Sequence, residues 1–186
     1  MKILFVDATV RPGSRTLRLA QTLLARLGGE VEHLRLADAA PAPLSNEKLD
    51  WRTERCAQED FSDPYFDCAR ALAQADAVVI AAPFWDNSFP AVLKAWIEAV
   101  MISGLTFRYD ETGMPHGLCR AQKLYYVTTA GGPIFNDAYG YGYVSDLAKT
   151  MFGIPETCQI KAEGLDIWGA DTEAILRDAE AEIQAL

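Results

Sequence analysis

Five short segments of the chain have the hydrophobic pattern of β-strands. Residues 3–6 and 77–82 are continuous apolar runs, which are typical of strands buried on both faces of a parallel sheet. Residues 31–36 alternate apolar and polar side chains, as expected of a less buried strand. Together with residues 124–127 and 157–163, these segments make five predicted strands.

Amphipathic helices are predicted between the strands, because apolar residues recur there at three- and four-residue spacing. The first runs from about Leu17 to Leu27 and is ended by Gly28. Another is opened by Ser88 and Pro90, since proline is tolerated in the first turn of a helix. The remaining predicted helices cover residues 64–75, 144–152 and about 175–186.

In two segments the apolar residues follow neither helix nor strand spacing clearly. Residues 37–62 are rich in Pro, Asp and Ala, and we predict a loop there with a short helix near Trp51. Residues 104–120 are predicted to form a short excursion with turns at Gly113 and Gly117.

Strands that alternate with helices predict an α/β fold with a doubly wound parallel sheet and helices on both faces. Five strands suit the flavodoxin-like order 2-1-3-4-5. No repeat or linker divides the chain, so we predict a single flavodoxin-like domain over residues 1–186. Ligands of such sheets lie beyond the carboxyl ends of the strands, beside strand 1. This rule selects the loops after Val6, Ala82 and Val127 as the candidate site.

Composition narrows the function classes. The formal net charge of -9 argues against nucleic-acid binding and against binding to an anionic membrane. The four cysteines form no C-x-x-C pair and the two histidines lack metal-ligand spacing, so no metal site is predicted. The apolar run at the start is too short for a signal peptide, and no stretch is long enough for a membrane span. We therefore expect a cytoplasmic protein.

The first of the three loops has the composition of a phosphate cradle. It joins a buried strand to a helix N-terminus, where unpaired N–H groups and the helix dipole favour an anion. Hydroxyls of Thr9, Ser14 and Thr16 and the charge of Arg15 add donors. The alternative is that Ser14 only caps the helix. The loop lacks G-x-G-x-x-G and G-x-x-x-x-G-K, which disfavours a dinucleotide-binding Rossmann site and a P-loop.

The other two loops suit a flat ring. Phe84 and Trp85 follow a buried strand and are placed to flank a ring, although single aromatic residues more often fill the core. Gly131 and Gly132 allow the backbone to approach a ligand closely, or form an ordinary turn. Because the three loops converge on one edge of the sheet, a phosphorylated, flat heteroaromatic ligand fits them together. FMN fits best, with FAD as the alternative.

Longer motifs resemble a known family. Residues 89–100 have the sequence F-P-A-V-L-K-A-W-I-E-A-V, residues 104–109 G-L-T-F-R-Y, residues 113–118 G-M-P-H-G-L and residues 14–20 S-R-T-L-R-L-A. These motifs resemble the NAD(P)H:quinone oxidoreductase and FMN-dependent azoreductase superfamily. The resemblance covers nearly the whole chain and is weakest over residues 37–62 and 133–150.

The resemblance implies a set of site residues. The FMN phosphate is expected at Thr9, Ser14, Arg15 and Thr16. The two sides of the isoalloxazine are expected at Phe84, Trp85, Asp86 and Asn87, and at Thr129, Ala130, Gly131 and Gly132. Phe107 and Tyr109 match aromatic residues that line the acceptor pocket across a dimer interface, so a homodimer is implied, with Tyr109 or a water as proton donor.

The activity that the resemblance implies is a two-electron, ping-pong transfer from NADH or NADPH to a quinone or an azo compound. Two alternatives are an FMN electron carrier and a flavin-free regulatory or binding domain. The family usually has Tyr-Asn-Phe where this chain has Trp85, Asp86 and Asn87, and arginine where it has Ala130. If Asp86 faces the flavin, its charge lowers the flavin potential. The Tyr-rich segment 135–143 either caps the pocket or lies at a dimer surface.

Overall fold

The computed structural model describes residues 1–186 and is built around a five-stranded parallel sheet. The strands are β1 (Lys2–Asp7), β2 (Glu30–Arg35), β3 (Ala77–Ala81), β4 (Phe107–Tyr109), β5 (Pro115–Gly117), β6 (Lys123–Thr129) and β7 (Glu156–Ala162). The helices are α1 (Arg15–Leu27), α2 (Leu36–Ala39), α3 (Asn46–Ala57), α4 (Asp67–Gln74), α5 (Ala91–Val100), α6 (Tyr141–Thr150) and α7 (Thr172–Ala185), and a 3₁₀ turn at Pro64–Phe66 precedes α4. None of the helices combines the length and the apolar character needed to span a bilayer.

The order of strands in the main sheet is β2-β1-β3-β6-β7, and all its pairs are parallel. Counted along the main sheet only, this is the predicted order 2-1-3-4-5, so the predicted fold class is confirmed. Strands β4 and β5 form a separate antiparallel pair.

The core consists of two hydrophobic layers, one on each face of the sheet. Every residue of β3 is buried, because this strand lies at the centre of the sheet and both its faces are covered. Val78 and Ile80 belong to the layer that contains Trp96 of α5. Val79 belongs to the other layer, together with Leu19 of α1 and residues of α7. Helices therefore cover both faces, as the continuous apolar pattern of this strand predicts.

Backbone hydrogen bonds continue past the ends of the strands and place the following loops side by side. The N–H of Ala8 donates to the carbonyl of Ala81 at 2.9 Å, and the N–H of Ala82 donates to Val127 at 2.9 Å. One step further, the N–H of Phe84 donates to the carbonyl of Thr129 at 2.9 Å. The three loops selected from the sequence are thus fixed at one edge of the sheet.

Two predicted segments differ from the structure. Helix α3 has 12 residues and is longer than the short helix predicted near Trp51, because Ser45 caps it and Trp51 stacks on Phe66 at 5.7 Å between ring centroids. Residues 104–120 contain the β4–β5 hairpin, in which Gly117 is part of a strand and not of a turn. The turn itself is closed by the N–H of Gly113, which donates to the carbonyl of Asp110 at 3.0 Å.

The hairpin is attached to the rest of the molecule through a close contact between two glycines. Gly153 approaches Gly117 so closely that a Cβ on Gly117 would overlap the backbone of Phe152 and Gly153. Beside this contact, the N–H of Cys119 donates to the carbonyl of Phe152 at 3.2 Å. Only glycine fits at position 117 without moving the hairpin.

We expect Gly117→Ala to lower the free energy of unfolding by about 1–3 kcal/mol, since the added methyl meets backbone that cannot repack. Urea unfolding followed by circular dichroism measures the change. Gly132→Ala is the matched control, because a Cβ there meets no atom within 4 Å. Equal stability of the two variants would show that the hairpin can shift freely.

Candidate active site

A cleft of about 620 Å³ lies at the carboxyl ends of β1, β3 and β6. It is lined by all three selected loops and by one residue from the loop after β7: Val10, Arg11, Pro12, Gly13, Ser14, Arg15, Thr16, Pro83, Phe84, Trp85, Thr129, Gly131 and Asp166. The structure therefore brings together Ser14, Arg15 and Thr16 with the aromatic residues of the second loop and the backbone of the third.

The N-terminus of α1 forms the most polar part of the cleft. The N–H groups of Ser14, Arg15 and Thr16 have no acceptor within the chain. The Ser14 hydroxyl accepts from the N–H of Leu17 at 3.3 Å, as a helix cap does, and its own hydrogen remains available to a ligand. Free N–H groups and the positive end of a helix dipole make this a site for an anion such as a phosphate.

The hydroxyls of two predicted phosphate ligands have partners inside the protein. The side chain of Thr9 donates to Oδ1 of Asp7 at 2.6 Å, and Thr9 is buried behind the cleft wall. The hydroxyl of Thr16 lies 2.6 Å from that of Thr129, in a buried contact that joins the first loop to the third. These two hydroxyls hold the loops in place, and a direct contact with a phosphate stays a prediction for both.

Asp7 is a fully buried carboxylate at the end of β1 that the sequence did not single out. Its Oδ1 also accepts from the N–H of Thr9 at 2.8 Å, which fixes the first turn of the phosphate loop. Its Oδ2 faces two basic groups of β2, with Nε2 of His33 at 3.4 Å and Nε of Arg35 at 4.0 Å. These hydrogen bonds and the nearby positive charge compensate the burial of the carboxylate.

The second loop is a tight turn from Trp85 to Ser88. The N–H of Trp85 donates to the carbonyl of Ser88 at 3.0 Å, and the N–H of Ser88 donates back at 2.8 Å. The two central residues, Asp86 and Asn87, have positive φ values of 51° and 62°, as a type I′ turn requires. Their side chains are exposed and do not line the cleft, so water screens the charge of Asp86. Their N–H groups have no acceptor within the chain.

The third loop presents bare backbone to the cleft. Thr129 and Gly131 line it, whereas Ala130 is buried and Gly132 lies outside the lining. The N–H groups of Gly131 and Gly132 have no acceptor within the chain. Below them, the N–H of Ala130 donates to the carbonyl of Ala162 at 2.9 Å. These contacts leave the two glycine N–H groups available to the polar edge of a ligand.

Two charged residues that line the cleft, Arg11 and Asp166, are not among the site residues predicted from the sequence. Arg11 is exposed, and its guanidinium carbon lies 6.0 Å from the ring centroid of Trp85. Asp166 forms an ion pair with Arg15 at 2.8 Å, and this hydrogen-bonded partner lowers the pKa of its carboxyl, with a smaller contribution from the charge of Arg11. No local sequence signal marks Asp166, because it lies 151 positions from its partner.

The predicted acceptor-side residues lie elsewhere in this chain. Phe107 is buried and Tyr109 is 57% exposed, with their rings edge to face at 5.4 Å on the β4–β5 hairpin. Neither lines the cleft of its own chain. The hairpin turn is held by Asp110, whose carboxyl has a pKa far below its usual value because the Thr112 hydroxyl and His116 donate to it. The hairpin is therefore a well-defined arm that presents Tyr109 to solvent.

The Tyr-rich segment is connected to the second loop. The Ser88 hydroxyl donates to the carbonyl of Tyr139 at 2.6 Å. Phe135 and Tyr139 are 93% and 64% exposed, so most of their apolar surface is uncovered in a single chain. Both interpretations of this segment, as a pocket cap and as a dimer surface, stay open.

The amino-acid sequence of the chain is similar to those of known enzymes. A family model described as having a flavodoxin-like fold matches residues 1–186. The chain is 32% identical to FMN-dependent NADH:quinone oxidoreductase 2 of Clostridium acetobutylicum, over 95% of this chain and 93% of that protein. It is 30% identical to the FMN-dependent NADH:quinone oxidoreductase of Coprothermobacter proteolyticus, over 100% and 97% of the two chains.

Solved structures show the same fold. An azoreductase from Bacillus anthracis superposes with a TM-score of 0.81 at 23% identity, over 100% of this chain and 97% of that one. An FMN-dependent NADH-azoreductase from the same species, solved in complex with FMN, superposes with a TM-score of 0.82 at 19% identity, over 99% and 95%.

We expect Thr9→Val to lower the free energy of unfolding by about 1–3 kcal/mol, because the buried Asp7 carboxylate loses a hydroxyl donor that no water replaces. Thr9→Ser keeps the hydroxyl and is expected to retain most of the stability. Urea unfolding of both variants measures the difference. If Thr9→Val is as stable as Thr9→Ser, the contact with Asp7 does not stabilise the loop.

Proposed function

We propose that this chain, which belongs to the flavodoxin-like family that includes the FMN-dependent NADH:quinone oxidoreductases, binds FMN in the cleft and transfers two electrons from NADH or NADPH to a quinone or an azo compound. The observation that carries this function is the run of unpaired N–H groups at Ser14, Arg15 and Thr16, in the same cleft as Phe84 and Trp85. An anion site beside aromatic walls suits a phosphorylated flat ring. NADH and NADPH are available in the cytoplasm, which is the expected location.

The residues of the cleft fit FMN by the chemistry of their donors. The N–H groups at the start of α1 and the Ser14 hydroxyl are placed to bind a phosphate. Phe84 and Trp85 provide apolar surface for the ring, and the N–H groups of Gly131 and Gly132 are free for its polar edge. When bound, FMN supplies the redox chemistry, accepting a hydride and passing two electrons on.

The protein's own contribution is binding and orientation. No nucleophile with an activating base lies among the cleft residues, in which the only carboxylate is that of Asp166. This is the expected composition where a cofactor carries the chemistry. Nicotinamide and acceptor are then expected to occupy the same open side of the cleft in turn, which gives ping-pong kinetics.

An anaerobic titration tests the function directly. The purified protein is reconstituted with FMN, NADH or NADPH is added, and benzoquinone follows. We expect the absorbance of the oxidised flavin to bleach with the preferred donor and to recover fully with benzoquinone. Bound flavin that does not bleach would favour the electron carrier, and failure to bind FMN would overturn the assignment in favour of a flavin-free domain.

A homodimer completes the proposed site. Phe107 and Tyr109 are outside the cleft of their own chain, and the hairpin that carries them exposes the apolar side chains of Met114 and Leu118. A second copy would cover this apolar surface and receive Tyr109 at the open side of its cleft. Tyr109, or a water beside it, then donates the proton that the reduced acceptor takes up.

We expect Tyr109→Phe to slow reoxidation by benzoquinone by about tenfold or more, since a positioned general acid typically contributes at least that much. Bleaching by the nicotinamide should be unchanged, because it requires no proton from the protein. Stopped-flow absorbance measures the two half-reactions separately, and sedimentation equilibrium measures the oligomeric state. Tyr65→Phe, which removes a tyrosine hydroxyl that has no hydrogen-bond partner and lies outside the cleft, is the control. Equal reoxidation rates in the two variants would exclude Tyr109 as the proton donor.

A further inference from the structure

The guanidinium of Arg15 is already engaged by the loop after β7. One Nη1–H donates to Oδ1 of Asp166 at 2.8 Å and the other to the carbonyl of Leu165 at 3.4 Å, while an Nη2–H donates to Oδ2 of Asp166 at 3.2 Å. Only Nε–H and the second Nη2–H remain, because a guanidinium has five N–H donors. A phosphate that approaches while Arg15 holds Asp166 can therefore receive only these two N–H groups, and it meets a guanidinium whose charge a carboxylate already balances.

We infer that Asp166 competes with the phosphate of the ligand for Arg15, and that it thereby sets how strongly the cleft prefers a phosphorylated flavin over the same flavin without phosphate. This role rests on the proposed function, since it requires the FMN phosphate to bind at the start of α1. Asp166 is thus a specificity-determining residue that acts through Arg15.

The charges around the cleft support competition. Asp166 is the only carboxylate among the residues that line the cleft, where the cations are Arg11 and Arg15. A phosphate monoester brings further negative charge close to this carboxylate. Removing the charge of Asp166 leaves the guanidinium groups of Arg11 and Arg15 free to interact with the ligand. It also removes the repulsion between this carboxylate and the phosphate.

The exposure of the ion pair makes the competition possible. The side chain of Arg15 is 32% exposed and that of Asp166 is 65% exposed. Ion pairs between exposed side chains contribute little to stability, because water and salt screen them. A phosphate bound by the N–H groups of α1 can therefore displace the carboxylate from Arg15.

The backbone prevents Asp166 from leaving the cleft altogether. Its N–H donates to the carbonyl of Gly131 at 2.9 Å, and its carboxylate lies so close to Gly131 that a Cβ there would overlap it. In the two residues just before it, the N–H of Leu165 donates to the carbonyl of Ala130 at 3.2 Å and the N–H of Gly164 donates to the carbonyl of Gly132 at 3.2 Å. The carboxylate thus stays near the N-terminus of α1, where the phosphate is expected, even when it has released Arg15.

The test compares FMN with riboflavin, which differs only in lacking the phosphate. Dissociation constants of both flavins are measured by fluorescence quenching for the wild type, Asp166→Asn, Arg15→Gln and the double variant. Asparagine keeps the shape of the side chain and its packing on Gly131. We expect Asp166→Asn to bind FMN about fivefold more tightly, as loss of an exposed charge pair allows, with riboflavin binding unchanged. This increase in affinity for FMN should largely disappear when Asp166→Asn is combined with Arg15→Gln.

Glu182→Gln is the matched control, because it removes one exposed negative charge from α7, away from the cleft. Thermal unfolding confirms that all variants fold. Unchanged or weaker FMN binding in Asp166→Asn, or an equal gain in the Arg15→Gln background, would overturn the competition while leaving the proposed function standing. A wild type that binds neither flavin would overturn both.

Discussion

The pairing of β3 with β1 on one side and with β6 on the other is the interaction on which the site depends. Each of these strands leaves backbone groups that must be satisfied where the regular ladder ends. The ladder continues instead of stopping, as in the bonds from Ala8 to Ala81 and from Phe84 to Thr129. The three loops therefore have the same spacing as the strands. A ligand that contacts all three loops meets backbone that is held by the most buried part of the sheet.

Polar groups in and behind the cleft fall into two kinds. Those that are buried, such as the Asp7 carboxylate and the hydroxyls of Thr9 and Thr16, have partners inside the protein, because an unpaired buried polar group would be costly. Those at the wall, including the N–H groups of Ser14 and Gly131, have none and face solvent. Binding then exchanges water for ligand at donors that are already in position, so little reorganisation opposes it.

The sequence predicts what depends on local pattern. The apolar runs of β1 and β3 predict a parallel sheet, and the sheet predicts which loops form the site. The helix predicted near Trp51 is shorter than α3, because part of the support of α3 is the packing of Trp51 on Phe66, which lies beyond the end of the helix. The β4–β5 hairpin was missed for a similar reason, since its strands are three residues long and depend on the contact with Gly153. Asp166 has no signature in its neighbours, and only the fold brings it to Arg15.

The separation between Arg15 and Asp166 has a consequence for the order of events during biosynthesis. The phosphate loop leaves the ribosome before the carboxylate that faces it, since 151 residues separate Arg15 from Asp166. At about 5–20 residues per second, the nascent chain spends roughly ten seconds or more with the start of α1 made and its counter-charge still missing. In the first part of that interval β1 also lacks β3, so the loop then has neither its scaffold nor its competitor. Competition between Asp166 and a phosphate for Arg15 therefore begins only once the loop after β7 has been made and packs on the third loop.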